Sequence, residues 1–422
     1  MDLFSDLHIG QLQSALGLIG FPLLAWVCSR NHEKPNFRLW FSAIALQIVL
    51  ALLLLKLPWF QTLFAGMNQG VLAIERAASA GTSFVFGYLG GADLPFETTN
   101  PASSYILAFR ALPLILVIGA LTGLLSYWRV LPWIIEQLSR LFTRSLGIGG
   151  AVALSGAANI FVGMTEAPLF IRRSMSKLSV SELLMVMTLG MSTVAGTVLV
   201  LYATFLAEVI PNAIGHIFTA SIISIPASVL ISLIFIPQTT DPTPSEAEVA
   251  FDYHGPMDAI AQGGINAMQM LLAIIALLVT FIALVSLSND LLGLLPEVFG
   301  SPLTLERMLG WIMAPICWLM GIPWSEATTA GGLMGIKTVL NELIAFIQLG
   351  QLPEEALSPR SELILSYALC GFANFGSLGI LIGGLSTLAP ERRHEIARLG
   401  LLSIVSGTLA TCMTASVIGV LH

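Results

Sequence analysis

Apolar positions in this chain arrive in runs long enough to cross a bilayer, separated by short polar breaks. A helix needs about 20 such residues to span the hydrocarbon core. The stretches 11–28, 38–57, 104–128, 181–207, 210–236, 263–297, 362–389 and 397–420 qualify, eight in all. Two further regions, 141–175 and 305–350, are apolar but broken by Gly, Pro and lone carboxylates. Glu75 and Arg76 interrupt the stretch 58–90, which reads as an amphipathic helix lying in the membrane interface. A hydrophilic segment rich in acid and proline, 237–258 (PQTTDPTPSEAEVAFDYHGPMD), divides the chain into two comparable parts. The pattern predicts an all-α polytopic membrane protein with about eight transmembrane helices and two irregular apolar regions.

Composition agrees with that reading. Of 422 residues 56% are hydrophobic and 10% charged, whereas soluble domains carry about 25% charged residues. The 38 glycines suit close approach of membrane helices. The net charge of -7 comes without a basic run, which argues against nucleic acid as a partner. Cys28, Cys317, Cys370 and Cys412 stand far apart in apolar sequence and read as small buried residues, not a disulfide frame or metal site. The start, MDLFSDLHIG, lacks the basic head of a signal peptide, so the first apolar stretch is expected to persist as a helix. Arg30, Lys34 and Arg38 follow the first span, and Arg392, Arg393 and Arg398 precede the last. The excess of basic residues assigns both loops to the cytoplasm and both termini to the outside, provided the broken regions re-enter from one side.

The two broken regions repeat one another. One reads LGIGGAVALSGAANIFVGMTEAPLF and then SELLMVMTLGMSTVAGTVLVLYATF; the other reads MGIPWSEATTAGGLMGIKTVLNELIAF and then SELILSYALCGFANFGSLGILIGGLSTL. Each opens on a Gly-containing turn, reaches a solitary Glu (Glu166, Glu342), and resumes with Ser-Glu-Leu (181–183, 361–363). Each then meets a small, polar, helix-weakening patch, Gly190 to Thr197 in one and Gly371 to Ser377 in the other. Paired broken segments of this kind mark a solute site near the midplane of a transporter, because unwound backbone survives at that depth only where protein or a wet cavity surrounds it.

A carboxylate at the centre of a membrane helix costs about 2.5–3.5 kcal/mol or more, so Glu166 and Glu342 must face the interior and find partners. Two readings are open: a packing hydrogen bond or an ion pair with Lys337, or the binding of a solute or cation. Their equivalent places in the repeat favour the second. Asn159, Thr165, Asn341, Asn374 and Ser377 add neutral donors and acceptors suited to a hydroxylated solute. Carbonyls freed around Thr193–Gly196 and Asn159–Val162 are of the kind that hold Na⁺. His8, His32, His216, His254, His394 and His422 fall near loops or ends and form no proton relay. A nucleophile elbow, HExxH, P-loop and GxGxxG are all absent, and the pattern points away from an enzyme. A membrane-embedded acid–base pair and an uncoupled channel are the competing classes.

With these features in view, the sequence resembles the bacterial members of the concentrative nucleoside transporter family. The resemblance rests on GTSFVFG (81–87), LAFRALP (107–113), GAANIFVGMTEAPL (156–169), GIKTVLNELIA (335–345), CGFAN (370–374) and LAPERRHEIARLG (388–400). It implies two re-entrant helical hairpins in an inverted repeat, carried by a transport domain on a scaffold, in a homotrimer of the bacterial cytoplasmic (inner) membrane. The implied division is 1–135 as scaffold, 136–236 as the first hairpin and broken helix, 237–258 as a hydrophilic loop, 259–300 as a scaffold span and 301–422 as the second hairpin and broken helix. It implies nucleoside import coupled to Na⁺, with H⁺ as the alternative ion, and no organic cofactor. By the same resemblance Met164, Thr165 and Glu166 face the base with Phe372 and Met268 packed against it, while Glu342, Asn374 and Ser377 face the ribose with Val198 nearby. Na⁺ falls to Asn159, Val162, Thr193 and Val194. This chain departs from the family pattern at Met164, where Gln is common, at Thr193, where Ser is common, and at Leu343 and Ile344, where Phe and Val stand.

Overall fold

The computed structural model describes residues 3–29, 37–97, 105–207, 209–244, 253–298, 300–353 and 355–422, with side chains from residue 9 onward. Arg30, His32, Lys34, the side chain of His8 and most of the acidic part of the 237–258 segment lie outside the described residues. Two long helices open the chain, α1 (Leu3–Cys28) and α2 (Phe37–Lys56), followed by α3 (Pro58–Phe86). Pro58 occupies the first turn of α3, where its missing N–H costs nothing. On α3 the buried Phe64, Val71 and Ala78 recur every seventh residue, with Thr82 one turn further, so only a narrow stripe of the helix is buried.

A single turn, α4 (Leu107–Arg110), leads into α5 (Leu114–Tyr127), and the left-handed Arg129 then redirects the chain into α6 (Val130–Leu146). The expected division at 135–136 falls inside α6, because that conformational break, not the onset of the apolar run, starts the helix. The first repeat continues through α7 (Gly150–Val162), a 3-10 segment (Ala167–Ser174), α8 (Val180–Ser192), α9 (Gly196–Leu206) and α10 (Ala213–Phe235). After the loop, α11 (Pro256–Leu292) runs 37 residues, about 55 Å of helix and more than the hydrocarbon thickness. The second repeat comprises α12 (Leu305–Met320), α13 (Trp324–Val339), α14 (Glu342–Gly350), α15 (Pro359–Leu369), α16 (Phe375–Leu388) and α17 (Arg393–Leu421).

The order of elements therefore matches between the halves. An outer helix (α6, α12) leads to a hairpin, α7 with the 3-10 segment in one half and α13 with α14 in the other, each folding back at a short break. A broken span follows (α8–α9, α15–α16), then a continuous one (α10, α17). The irregular regions 141–175 and 305–350 resolve into these outer helices plus hairpins, with α12 and α13 bent by 117° at their junction. Among the described residues seven helical segments are long and apolar enough to cross a bilayer. The eighth expected span, 362–389, is present as α15 and α16, shortened by the break at 370–374. All-α architecture holds throughout the described residues, with an isolated bridge between Val298 and Ser301 as the only β pairing.

Both Ser-Glu-Leu sequences start helices. Ser179 caps α8 in a capping box with Glu182, and Ser358 caps α15 by accepting from the N–H of Ser361. Helices α5 and α11 pack in close contact because Gly119 and Gly263 face each other: a Cβ on Gly263 would meet the carbonyl oxygen of Gly119 at 2.4 Å.

Candidate functional site

The four breaks converge on one cavity of about 550 Å³, a size that suits a small polar solute. The first hairpin contributes Met164, Thr165 and Glu166, and α9 contributes Thr197, Val198 and Tyr202. The second hairpin adds Asn341 and Glu342, and the break before α16 adds Phe372, Asn374 and Ser377. The opposite wall belongs to α5 and α11.

The turns that hold these residues are locally determined. At the first hairpin, Gly163 has φ +88, a left-handed value that a β-carbon disfavours, and a Cβ there would sit 2.7 Å from that of Ala195. The tip of the hairpin thereby rests directly on the α8–α9 break. At the second hairpin, Asn341 caps α14 by accepting from the N–H of Ile344, which places Glu342 in the first turn, at the positive end of the helix dipole. Between α15 and α16 the chain makes tight i+2→i turns, Gly371 to Leu369 and Asn374 to Phe372, both at 2.8 Å. Asn374 then caps α16, its Oδ1 accepting from the N–H of Ser377 at 2.7 Å.

Glu342 is 4% exposed and fixed from two sides. The Tyr202 hydroxyl donates to its Oε1 at 2.6 Å and Asn374 Nδ2 donates to its Oε2 at 2.8 Å. Each oxygen keeps a lone pair for a ligand in the cavity. Lys337 does not pair with it. Its ammonium is fully buried and donates to the carbonyl of Ala368 at 2.7 Å and to Thr411 Oγ1 at 3.2 Å. A cation there neutralises the C-terminal end of α15, whose last carbonyls the break leaves without helical partners. The ion pair with Lys337 is thus absent, while the packing hydrogen bonds from Tyr202 and Asn374 are present.

Glu166 differs. Its carboxylate has no hydrogen-bond partner among the described residues and faces the same cavity. Tyr253, in the loop before α11, also lines the cavity, and its phenol is pushed up to about 12 by burial and by the negative charges of Glu166 and Asp258.

Beside the cavity, α7 and the α8–α9 break enclose a second polar group. Asn159 Nδ2 donates to the carbonyl of Leu189 at 2.8 Å and to Thr193 Oγ1 at 2.6 Å. Its Oδ1 is buried and has no partner. Among the described residues the carbonyls of Val162, Thr193 and Val194 accept no hydrogen bond either. Unpaired buried oxygens are costly, and a set of neutral oxygens fits a hard cation of low charge. Among the described residues no group of His, Cys, Asp and Glu is arranged for a transition metal.

Of the residues expected from sequence, Met268 alone is away from these two groups. It is 41% exposed and off the cavity face of α11. A helix turns about 100° per residue, and the face at Gly263, Asn266, Ala267, Met270, Ala273 and Ile274 follows the 3.6-residue period that Met268 misses. Gln269 and Met270 line the wall in its place. Sequence reasoning also passed over Tyr202, Thr197 and Tyr253. Tyr202 gave a usable signal as the one aromatic hydroxyl in an otherwise apolar helix.

Comparison with known proteins agrees with this construction. Residues 16–89 and 216–419 match the families described as Na⁺ dependent nucleoside transporter N-terminus and C-terminus, and 108–209 match nucleoside recognition. The nucleoside permease NupC of Helicobacter pylori is 34% identical, over 97% of both chains. Solute carrier family 28 member 3 of Mus musculus is 31% identical over 96% of this chain and 58% of its own length. The solved structure of CNTnw in an inward-facing substrate-bound state superposes with a TM-score of 0.87 at 34% identity, over 97% of both chains. A doubly substituted CNTnw in an outward-facing state gives 0.89 at 34% identity, over 98% of both chains. With near-complete coverage in sequence and fold, a paired set of helix breaks around a buried carboxylate and the apolar helices of a multi-pass protein, this chain belongs to the Na⁺-dependent concentrative nucleoside transporter family and is a membrane transporter of nucleosides, not an enzyme.

Proposed function

We propose that the protein is a Na⁺-coupled symporter that concentrates nucleosides across the bacterial cytoplasmic membrane by alternating access. The observation that carries this reading is a pair of oxygen sets joined at the cavity wall by Val162: Glu342 held toward the cavity by Tyr202 and Asn374, and the orphaned Asn159 Oδ1 with the unbonded carbonyls of Val162, Thr193 and Val194. In this reading Glu342, Asn374 and Ser377 take the ribose hydroxyls. Met164, Thr165 and Glu166 face the base, with Phe372 packed on it and Val198 near the ribose. Na⁺ binds through Asn159 and Thr193 and the carbonyls of Val162 and Val194. Sodium is favoured over H⁺ because these groups are neutral oxygens without a proton to exchange. The second role of the ion is mechanical: it ties the first hairpin to the α8–α9 break, and so orders the cavity wall that the substrate meets.

The transport domain comprises the hairpins and broken spans, moving against a scaffold that includes α5 and α11, within a homotrimer. Both termini face outward, on the strength of Arg38, Arg392, Arg393 and Arg398 at the opposite side. The test is uptake of radiolabelled uridine and adenosine into proteoliposomes under an inward Na⁺ gradient, an inward H⁺ gradient, or neither. Accumulation with Na⁺ alone is expected. Accumulation driven by H⁺ in sodium-free buffer would keep the nucleoside site and remove the ion assignment.

A further inference from the structure

Tyr202 lies in the apolar run of α9 and is 2% exposed, yet its hydroxyl is committed to Glu342 at 2.6 Å. Its ring stacks on Phe346, centroids 4.9 Å apart at 29°. Glu342 and Phe346 stand one turn apart on α14, so Tyr202 grips one face of the second hairpin at two points. Tyr202 itself belongs to the first repeat. Its helix begins at Gly196, directly after the Thr193–Ala195 break, where Asn159 bonds the hydroxyl of Thr193 at 2.6 Å. From Gly196 to Tyr202 is less than two turns, about 9 Å of rigid helix. The start of α9 is therefore fixed by whatever orders the break, and the phenol follows.

We infer that Tyr202 is the positioning residue that ties occupancy of the ion site to the orientation of Glu342, and so carries coupling between the cation and the ribose of the substrate. The inference rests on the Na⁺-coupled reading above. A cation drawn to the orphaned Asn159 oxygen and the free carbonyls fixes the direction in which α9 leaves the break. Tyr202 then meets Glu342 Oε1 without further ordering, and the remaining lone pairs of the carboxylate point at the ribose hydroxyls. Without the cation, substrate binding has to order α9 as well. By linkage the ribonucleoside raises the affinity for sodium by the factor through which sodium raises its own.

Tyr202→Phe tests this, since it keeps the ring and its stack on Phe346 and deletes only the O–H. Uridine Kd is measured by calorimetry on the purified full chain at saturating Na⁺ and in sodium-free choline buffer; the ratio is the coupling factor. A wild-type factor on the order of 10 to 100 is expected, falling by about 5-fold or more in the variant. Two controls separate positioning from folding. The rise in Tm caused by Na⁺ without nucleoside should persist in Tyr202→Phe, and 2′,3′-dideoxyuridine, which has no donor for Glu342 at those positions, should show little change in coupling. A uridine coupling factor unaltered by the substitution overturns the inference. So does loss of the Na⁺-dependent Tm shift, which would place Tyr202 in the ion site or the fold itself. A wild-type Kd indifferent to sodium would instead bring down the Na⁺-coupled reading, and the inference with it.

Discussion

Replacing Glu342 by Gln removes a charge while leaving the surrounding hydrogen bonds room to re-form. Asn374 Nδ2 keeps an acceptor in the amide oxygen, and the Tyr202 hydroxyl rotates to accept from the new NH₂. What the substitution loses is the second acceptor and the charge-assisted character of any bond from the ribose. A hydrogen bond to a charged group contributes about 1.5–3 kcal/mol net. With one such bond lost and another reduced to a neutral one, uridine binding should weaken by about 2–3 kcal/mol, roughly 30- to 150-fold in Kd. Calorimetry in saturating Na⁺ measures this directly, with 2′,3′-dideoxyuridine as the companion ligand. The dideoxy analogue lacks the hydroxyls that the proposal assigns to Glu342, so its Kd should move by less than about threefold. An unchanged uridine Kd, or equal losses for both ligands, would remove Glu342 from the ribose site.

Other consequences follow from single contacts. Met164→Gln places a donor and an acceptor where a buried thioether stands, and should alter the ratio of adenosine to uridine affinity by up to about 10-fold, one hydrogen bond's worth, without changing the coupling ion. Competition binding against both nucleosides reads the ratio, and an unaltered one would mean that the hairpin tip does not read the base. Asn159→Leu deletes the orphaned Oδ1 and the bonds to Leu189 and Thr193; the Na⁺-dependent rise in Tm should vanish, and its survival would place the ion elsewhere. Lys337→Met preserves length but leaves the Ala368 carbonyl and Thr411 without their donor, so stability should drop by about 1–3 kcal/mol. Thermal unfolding in detergent checks it, and an unaltered Tm would show that the ammonium does not hold the end of α15.

The parts of this molecule that were legible in sequence are those where membrane physics leaves few solutions. A lone acid in an apolar run must face inward, and Glu342 does. A Gly- and Ser-rich patch in a span must be shielded from lipid if it unwinds, and both patches break at the cavity. What sequence could not supply is rotation and reversal. Lys337 precedes Glu342 by only five residues, so a pair between them is a natural expectation from sequence, although i,i+5 positions do not share a face of a continuous helix. The helix ends at Val339, however, and the chain folds back through Leu340 and Asn341, which carries the ammonium to α15 instead. Met268 and Met270 are equally plausible against a base until the phase of α11 is known, and close packing at Gly119 and Gly263 is what sets that phase.

Tyr202 shows why the same limit applies to chemistry. In VLVLYATF its neighbours are almost all apolar, so its phenol stands out as the one aromatic hydroxyl of α9 without naming a partner. Its importance appears only when the two repeats are brought together, since the groups it touches lie some 140 positions away in the chain. The breaks make this possible. An unbroken α9 would leave no free carbonyls for a cation, and an unbroken α13–α14 would hold Glu342 in mid-helix rather than at a helix start facing the cavity. Each break costs backbone hydrogen bonds that lipid cannot replace, and those costs are met by named groups: Lys337 at α15, Asn341 at α14, Asn374 at α16. At the α8–α9 break and the end of α7 the carbonyls of Val162, Thr193 and Val194 and Asn159 Oδ1 remain unmet among the described residues. In the Na⁺-coupled reading proposed above, an ion filling this deficit contributes to folding the site only while it is bound, and its release on the sodium-poor side returns the site to the state that lets the substrate go.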